Sequence, residues 1–141
     1  MIGTPENFVS VARSLIGTPF HHNQCVPGLG MDCIQVAKYS AQKCGLNIGN
    51  PPAAYSVRPN GELLKHLAEI CVLVRGKPSV GDVLAMIFEG DSNNMDPHHV
   101  AVFSGDSIIH AYSKVKKVIE EPYTKKWESM VHSIWRFKEF S

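Results

Sequence analysis

The chain has 141 residues, 44% of them hydrophobic, which fits a single domain spanning residues 1–141 with a buried core. Its formal net charge of +1 is too small to indicate nucleic acid or an anionic membrane surface as a partner. The longest apolar run, residues 83–88, is too short to span a membrane, and because the first residues lack the basic and apolar segments of a signal peptide, we expect synthesis in the cytoplasm.

The N-terminal part of the chain predicts one helix followed by a long loop. Thr4 is a good N-cap, Pro5 suits the first helical position, and apolar residues then recur at helical spacing as far as Ile16. Gly17 is expected to end this helix. Residues 17–30 contain several glycines and prolines and a His-His-Asn-Gln cluster, so we predict a loop of the length that often carries function.

Two more helices are predicted between Asp32 and Ile70. Asp32 can cap the second helix, which Gly45 is expected to end. A proline-rich link at residues 50–52 leads to a third helix, which begins after Gly61 and carries its leucines on one side as far as Ile70.

The second half of the chain has the pattern of short strands, with β-branched and aromatic runs separated by turn signals. The runs cover residues 72–74, 82–88, 99–103, 108–112, 115–119 and 131–137. This order predicts an α+β fold, in which N-terminal helices pack on one face of a C-terminal antiparallel sheet. Trp127, Trp135 and Phe137 are expected in the core. Glu120 and Glu121, beside several lysines, are expected on a solvated strand surface.

Cys33 occupies the position where the glycine-rich loop becomes the second helix. The N–H groups and positive dipole of a helix N-terminus favour an anion, so we expect a thiolate nucleophile there. The other cysteines, Cys25, Cys44 and Cys71, are expected to be reduced thiols, the last two as small buried hydrophobic residues. The cysteines lack the paired spacing of a structural zinc site, so we predict no metal.

Two histidines of the predicted sheet can provide a base for this thiol. If residues 105–106 form a two-residue hairpin turn, His99 lies diagonally from His110 on the same face of the sheet. Such diagonal Cβ atoms are about 7 Å apart, so the two imidazoles can touch. His98 is expected to project to the opposite face. We therefore predict Cys33 as nucleophile, His99 as base and His110 as the residue that orients His99. The backbone N–H of Cys33 is placed to help hold an oxyanion.

Several segments resemble the NlpC family of papain-like cell-wall peptidases, in particular the short, free-standing versions associated with tailed phages and phage-like particles. They are residues 12–20, 30–33, 81–84, 99–102 and 109–112. The resemblance implies a papain-like fold with Cys33, His99 and His110 as catalytic residues. It also implies hydrolysis of an amide bond in peptidoglycan stem peptides, typically between γ-D-glutamate and a diamino acid, with no metal or organic cofactor. The phage branch further implies tail proteins as partners and a location in the virion tail.

The chain departs from this family pattern near the expected site. Many relatives have a site tyrosine after the Gly-x-Pro turn, where this chain has Phe20, which cannot donate a hydrogen bond. Either His22 or a backbone group covers that role, or the site is weaker. His22 is therefore predicted to position substrate, together with Asp32, whose first role is the helix cap. Gln35 stands where relatives commonly have glycine.

Two other functions stay open from the sequence. One is a structural tail component with the same fold and weak or lost catalysis, which the phenylalanine at position 20 keeps open. The other is an amidase or acyl transferase acting on a different substrate, since papain-like relatives include both.

Overall fold

The computed structural model describes residues 3–49, 61–88 and 96–141. Within these ranges the α-helices are α1 (Pro5–Ser14), α2 (Cys33–Lys43), α3 (Glu62–Ile70) and α4 (Lys125–Glu128). The strands are β1 (Cys25–Val26), β2 (Gly30–Met31), β3 (Cys71–Val74), β4 (Val83–Met86), β5 (His99–Phe103), β6 (Ser107–Tyr112), β7 (Lys117–Pro122) and β8 (Val131–Phe137). A short 3₁₀ helix, Lys138–Phe140, follows β8. The predicted proline-rich link at residues 50–52 lies outside the described residues.

The three predicted helices are present, and two of them begin at the predicted side-chain caps. Thr4 Oγ1 accepts a hydrogen bond from the N–H of Asn7 at 3.1 Å. Asp32 Oδ1 accepts one from the N–H of Gln35 at 2.9 Å. Each cap satisfies a donor that the first helical turn cannot bond internally. No helix in the described part of the chain has the length and apolar character needed to cross a membrane.

The larger sheet has six antiparallel strands in the order β3-β8-β4-β5-β6-β7. The apolar sides of α1, α2 and α3 pack on one face of it, against side chains such as Val83, Val100 and Val102. The opposite face carries a second apolar cluster, in which Trp127 of α4 packs with Phe103. This arrangement confirms the predicted α+β class. Trp127 is buried as expected.

Three short elements differ from the sequence prediction. The loop before α2 contains the small antiparallel ribbon of β1 and β2, and α4 is a single helical turn. Elements this short show no periodicity in the sequence. The predicted strand at residues 115–119 begins two residues later, at Lys117, because Lys116 has a φ of 69°, in the left-handed region of a turn.

The hairpin of β5 and β6 has the predicted register next to its turn. Further from the turn, the two strands separate. Phe103 pairs with Ile108 and Val102 with Ile109, as a two-residue turn requires. Among the described residues, no further pair joins these strands on the side of His99. On that side β5 stays paired with β4, and β6 with β7. The opening is therefore a gap inside the sheet.

Candidate active site

The sulfur of Cys33 lies against the backbone of β5. The backbone N–H groups of Val100, Ile34 and Cys33 itself lie near the sulfur and lower the pKa of the thiol. The N–H of Phe103 points to the carbonyl oxygen of Asp82, on the β4 side, at 2.9 Å. Because N–H directions alternate along a strand, the N–H of Val100 points to the β6 side. The thiol thus lies where the ladder between β5 and β6 is interrupted.

Asp32 holds this end of α2 in place. Its side chain is 3% exposed. One carboxylate oxygen caps the helix at Gln35, and the other accepts a hydrogen bond from the N–H of Asn23 in the preceding loop at 2.6 Å. Asp32 therefore ties the loop to the start of the nucleophile helix. Its predicted contact with substrate remains a prediction.

Burial raises the pKa of the Cys33 thiol to about 12, and the charge of Asp32 adds to the rise. The three nearby backbone N–H groups lower the pKa and only partly offset these effects. The expectation of a resting thiolate is therefore not met in this structure. Cys33 is 8% exposed, so a thiolate there would lose most of its hydration energy. The stabilisation from the helix N-terminus and the nearby N–H groups is smaller than this loss.

The two histidines predicted to lie together are in direct contact. Nε2 of His99 and Nδ1 of His110 are 2.7 Å apart, and both side chains are buried. The diagonal relationship expected from the hairpin is therefore confirmed. Because this contact occupies Nε2, Nδ1 is the ring nitrogen that His99 has available for Cys33.

Burial keeps both imidazoles neutral. It lowers the pKa of His99 well below 6.5, and the neighbouring His110 and His98 lower it further. Burial also lowers the pKa of His110, against the opposing effect of Glu121. The site at neutral pH therefore holds a thiol and two uncharged rings.

Glu121 is a member of this cluster that the sequence prediction missed. Its Oε2 lies 2.9 Å from His110 Nε2, and its Oε1 accepts a hydrogen bond from Trp127 Nε1 at 2.9 Å. The expectation of a solvated strand surface is wrong for its carboxylate oxygens, which bond to these two rings, although the side chain is only partly buried. In the register of β6 and β7, Glu121 pairs with Ile108, so it is diagonal to His110 on the same face. The diagonal rule that relates His99 to His110 across β5 and β6, applied next to β6 and β7, would have identified Glu121.

Aromatic rings surround the two histidines on this face. Tyr112 stacks on His110 with ring centroids 5.2 Å apart, and the edge of Trp127 meets the same ring at 5.1 Å. Phe88 lies 4.6 Å from His99 and 4.9 Å from His98. His98 precedes β5, so strand alternation does not separate it from His99 as expected. These rings restrict the motion of the imidazoles and exclude water from them.

Other residues singled out in the sequence lie further from this cluster or serve the core. His22 is exposed in the loop between α1 and β1, and its predicted role toward substrate remains a prediction. Phe20 packs against the core beside α2. Cys44 and Cys71 are buried free thiols, as predicted. In residues 3–49, 61–88 and 96–141, no group of three or more His, Cys, Asp or Glu could hold a metal ion.

Comparison with known proteins finds its matches among solved structures. An NlpC/P60 family protein from Bacillus cereus has a TM-score of 0.74 at 19% identity and covers 97% of this chain. NlpC1 from Trichomonas vaginalis has a TM-score of 0.73 at 17% identity and covers 94%. The NlpC/p60 domain of the peptidoglycan hydrolase SagA has a TM-score of 0.63 at 23% identity and covers 94%.

The matched lengths differ between these structures. This chain spans 41% of the Bacillus protein and 44% of the Trichomonas protein, but 97% of the SagA domain. No protein-family model matches the sequence, and no curated protein matches it. The chain therefore has the papain-like α+β fold of NlpC/P60 proteins.

Proposed function

We propose that this protein is a cysteine peptidase of the NlpC/P60 type, which hydrolyses amide bonds in peptidoglycan stem peptides. The observation that carries the proposal is the 2.7 Å contact between His99 and His110. His99 directly precedes Val100, whose backbone N–H lies near the Cys33 sulfur and lowers the pKa of the thiol. The fold shared with the NlpC/p60 domain of the peptidoglycan hydrolase SagA supports the same substrate class.

In the proposed reaction His99 acts as a general base. Nδ1 of His99 takes the thiol proton of Cys33 as the sulfur attacks the amide carbon. His99 then gives this proton to the leaving amine as the C–N bond breaks, which leaves a thioester on Cys33. Water attacks the thioester with His99 again as base, releasing the acid and restoring the thiol.

The start of α2 is suited to the oxyanion of the tetrahedral intermediates. Asp32 already uses the N–H groups of Gln35 and Val36, through its side chain and its carbonyl oxygen. The N–H groups of Cys33 and Ile34 lie near the sulfur and lower the pKa of the thiol. They are therefore close to the carbon that the sulfur attacks, where donors stabilise developing charge.

We further propose the bond between γ-D-glutamate and a diamino acid as the target, and a place in a phage tail as the location. The bond follows from the sequence resemblance to the NlpC family, and the location follows from the resemblance to its phage-associated members. A tail-borne peptidase would open a path through the cell wall, and tail proteins would be its partners.

Digestion of purified peptidoglycan tests the peptidase proposal, with mass spectrometry of the released muropeptides to identify the new termini. We expect cleavage by the wild-type protein and by Cys25→Ala, which changes a half-buried thiol outside the cluster. Cys33→Ala should have no activity, and His99→Ala should lose on the order of 10²- to 10⁴-fold. Equal digestion by Cys33→Ala and wild type would refute the proposal.

A structural tail component is the second candidate. The neutral, buried thiol of Cys33 and the absence of a site hydroxyl at Phe20 favour it. If phage particles carrying Cys33→Ala assemble normally but fail to penetrate the wall, the peptidase is favoured. Infection at the wild-type level by those particles would favour the structural role.

A further inference from the structure

We propose that Glu121, held by Trp127, is a positioning residue that sets the tautomers of His110 and His99. It thereby leaves the lone pair of His99 on Nδ1, the ring nitrogen that acts as the base in the proposed reaction. The inference rests on the proposed function for its catalytic meaning. The hydrogen bonds on which it stands do not depend on that function.

The carboxylate of Glu121 has both oxygens engaged in the cluster. Oε1 accepts from the indole N–H of Trp127 at 2.9 Å, and Oε2 lies 2.9 Å from Nε2 of His110. An ionised carboxylate only accepts hydrogen bonds, and an indole N–H only donates. His110 must therefore carry a proton on Nε2.

This proton determines the state of the next ring. His110 is neutral because it is buried, so with a proton on Nε2 its Nδ1 is an acceptor. Nε2 of His99, 2.7 Å from that acceptor, must then be the donor. A neutral His99 with its proton on Nε2 has its lone pair on Nδ1, which is the form that can take a proton from Cys33.

The carboxylate also carries the negative charge that this cluster needs during the reaction. Once His99 accepts the thiol proton, it becomes a buried cation. Glu121 is linked to it through one ring, and it already raises the pKa of His110. The side chain of Glu121 is 28% exposed, so part of it remains hydrated while its ring-facing oxygen is held in the cluster.

Glu121 is fixed in place by secondary structure as well as by Trp127. β6 and β7 pair without interruption from Ser107 and Pro122 to Tyr112 and Lys117. The adjacent Glu120 points away and forms a two-bond ion pair with Arg13 of α1, each bond 3.0 Å long. Glu120 is therefore a matched control, with the same side chain on the same strand and no hydrogen bond to the histidines.

Glu121→Gln tests the tautomer assignment because glutamine has one acceptor and one donor in place of two acceptors. The indole N–H of Trp127 keeps the amide oxygen on its side, which turns the NH₂ group toward His110. Nε2 of His110 must then accept, its proton moves to Nδ1, and the proton of His99 moves to Nδ1 as well. His99 would no longer present a base to Cys33.

We expect Glu121→Gln to lower kcat on the order of 10²-fold with little change in KM, while Glu120→Gln keeps the wild-type kcat. Trp127→Phe added to Glu121→Gln should recover part of kcat, because the amide can then turn its oxygen toward His110. A purely structural role predicts the reverse, since the second substitution removes more packing. Wild-type kcat in Glu121→Gln, or a further loss in the double variant, would overturn the inference.

Nitrogen-15 NMR of the histidine side chains provides a readout that needs no activity. In the wild-type protein we expect His99 and His110 both protonated on Nε2, and in Glu121→Gln both on Nδ1. Wild-type rings protonated on Nδ1 would overturn the inference even if the enzyme is active. If Cys33→Ala digests peptidoglycan as well as wild type, the proposed function fails, and the NMR result still decides the role of Glu121.

Should Glu121→Gln not fold, Trp127→Phe alone provides the test. It keeps an aromatic ring on His110 but removes the donor that holds Oε1. We expect a lower kcat with the proton still on Nε2 of His110, because the carboxylate remains an acceptor. A change of tautomer in this variant would contradict the inference.

Discussion

The backbone N–H of Val100 lies near the sulfur of Cys33 and lowers the pKa of its thiol, so the first residue of α2 lies against the strand that begins with His99. This contact is available because β5 and β6 separate after Val102 and Ile109. In a regular hairpin, the N–H of Val100 would bond to β6. The opening of the hairpin therefore leaves the N–H of Val100 available to the first residue of α2.

The alkylation rate of Cys33 should increase with pH without a plateau near neutrality. Its pKa is raised to about 12, and the thiolate is the form that reacts. Mass spectrometry of iodoacetamide labelling at each residue, across a pH series, measures this rate. A plateau between about pH 5 and 8 would instead reveal a preformed thiolate and imidazolium pair.

Asp32→Asn should separate the capping role of Asp32 from its charge. Asparagine caps helices as well as aspartate, and loss of the charge removes one cause of the raised pKa of Cys33. We therefore expect faster alkylation of Cys33 at a given pH. We also expect a loss of stability smaller than that of Asp32→Ala, because the amide oxygen can accept from the N–H of Gln35 or of Asn23 but not from both.

Asp32→Ala is the comparison variant for this residue. It leaves the N–H groups of Gln35 and Asn23 without their acceptor, at a cost of about 2 kcal/mol or more in the free energy of unfolding. Urea denaturation measures this cost. Equal stability of the Asn and Ala variants would contradict the capping role.

Stability should decrease as the pH falls below about 6.5. The pKa values of His99 and His110 are lowered from 6.5 in the folded protein, so the unfolded chain binds more protons in this range. The contribution of these rings is complete above the unfolded pKa and is lost as the pH falls toward the folded values. Urea denaturation at several pH values checks the slope, which His99→Gln should reduce. An unchanged slope in that variant would show that protonation of His99 is not the cause.

Removing Asp82 should destabilise the protein far more than removing Arg13. Asp82 is fully buried and holds Arg136 through two hydrogen bonds of 2.8 and 2.9 Å. Asp82→Ala leaves that cation without its partner, at a cost of about 3–5 kcal/mol. The pair of Arg13 with Glu120 is half exposed on the arginine side, so Arg13→Ala should cost less than about 1 kcal/mol. Thermal and urea unfolding of the two variants, compared side by side, would expose an error in this ranking.

Local patterns were enough to predict much of the fold. The caps at Thr4 and Asp32 depend on side-chain and backbone groups only three residues apart, so they can be read directly from the sequence. The contact between His99 and His110 follows from strand alternation once a two-residue turn is assumed. Both kinds of prediction use short-range geometry that every helix or hairpin repeats.

Local sequence patterns identify the residues that cap the helices, the strands that form the hairpin, and the shared face of His99 and His110. The contact of Glu121 with these histidines and the neutral thiol of Cys33 depend on how the whole chain packs. Whether the carboxylate of Glu121 is solvated or held by an indole depends on where Trp127 packs in the folded protein, which the sequence pattern around Glu121 does not show. The pKa of a thiol likewise depends on how far the surrounding elements exclude water from it. This burial is set by the packing of several elements together and not by the residues next to the thiol in sequence.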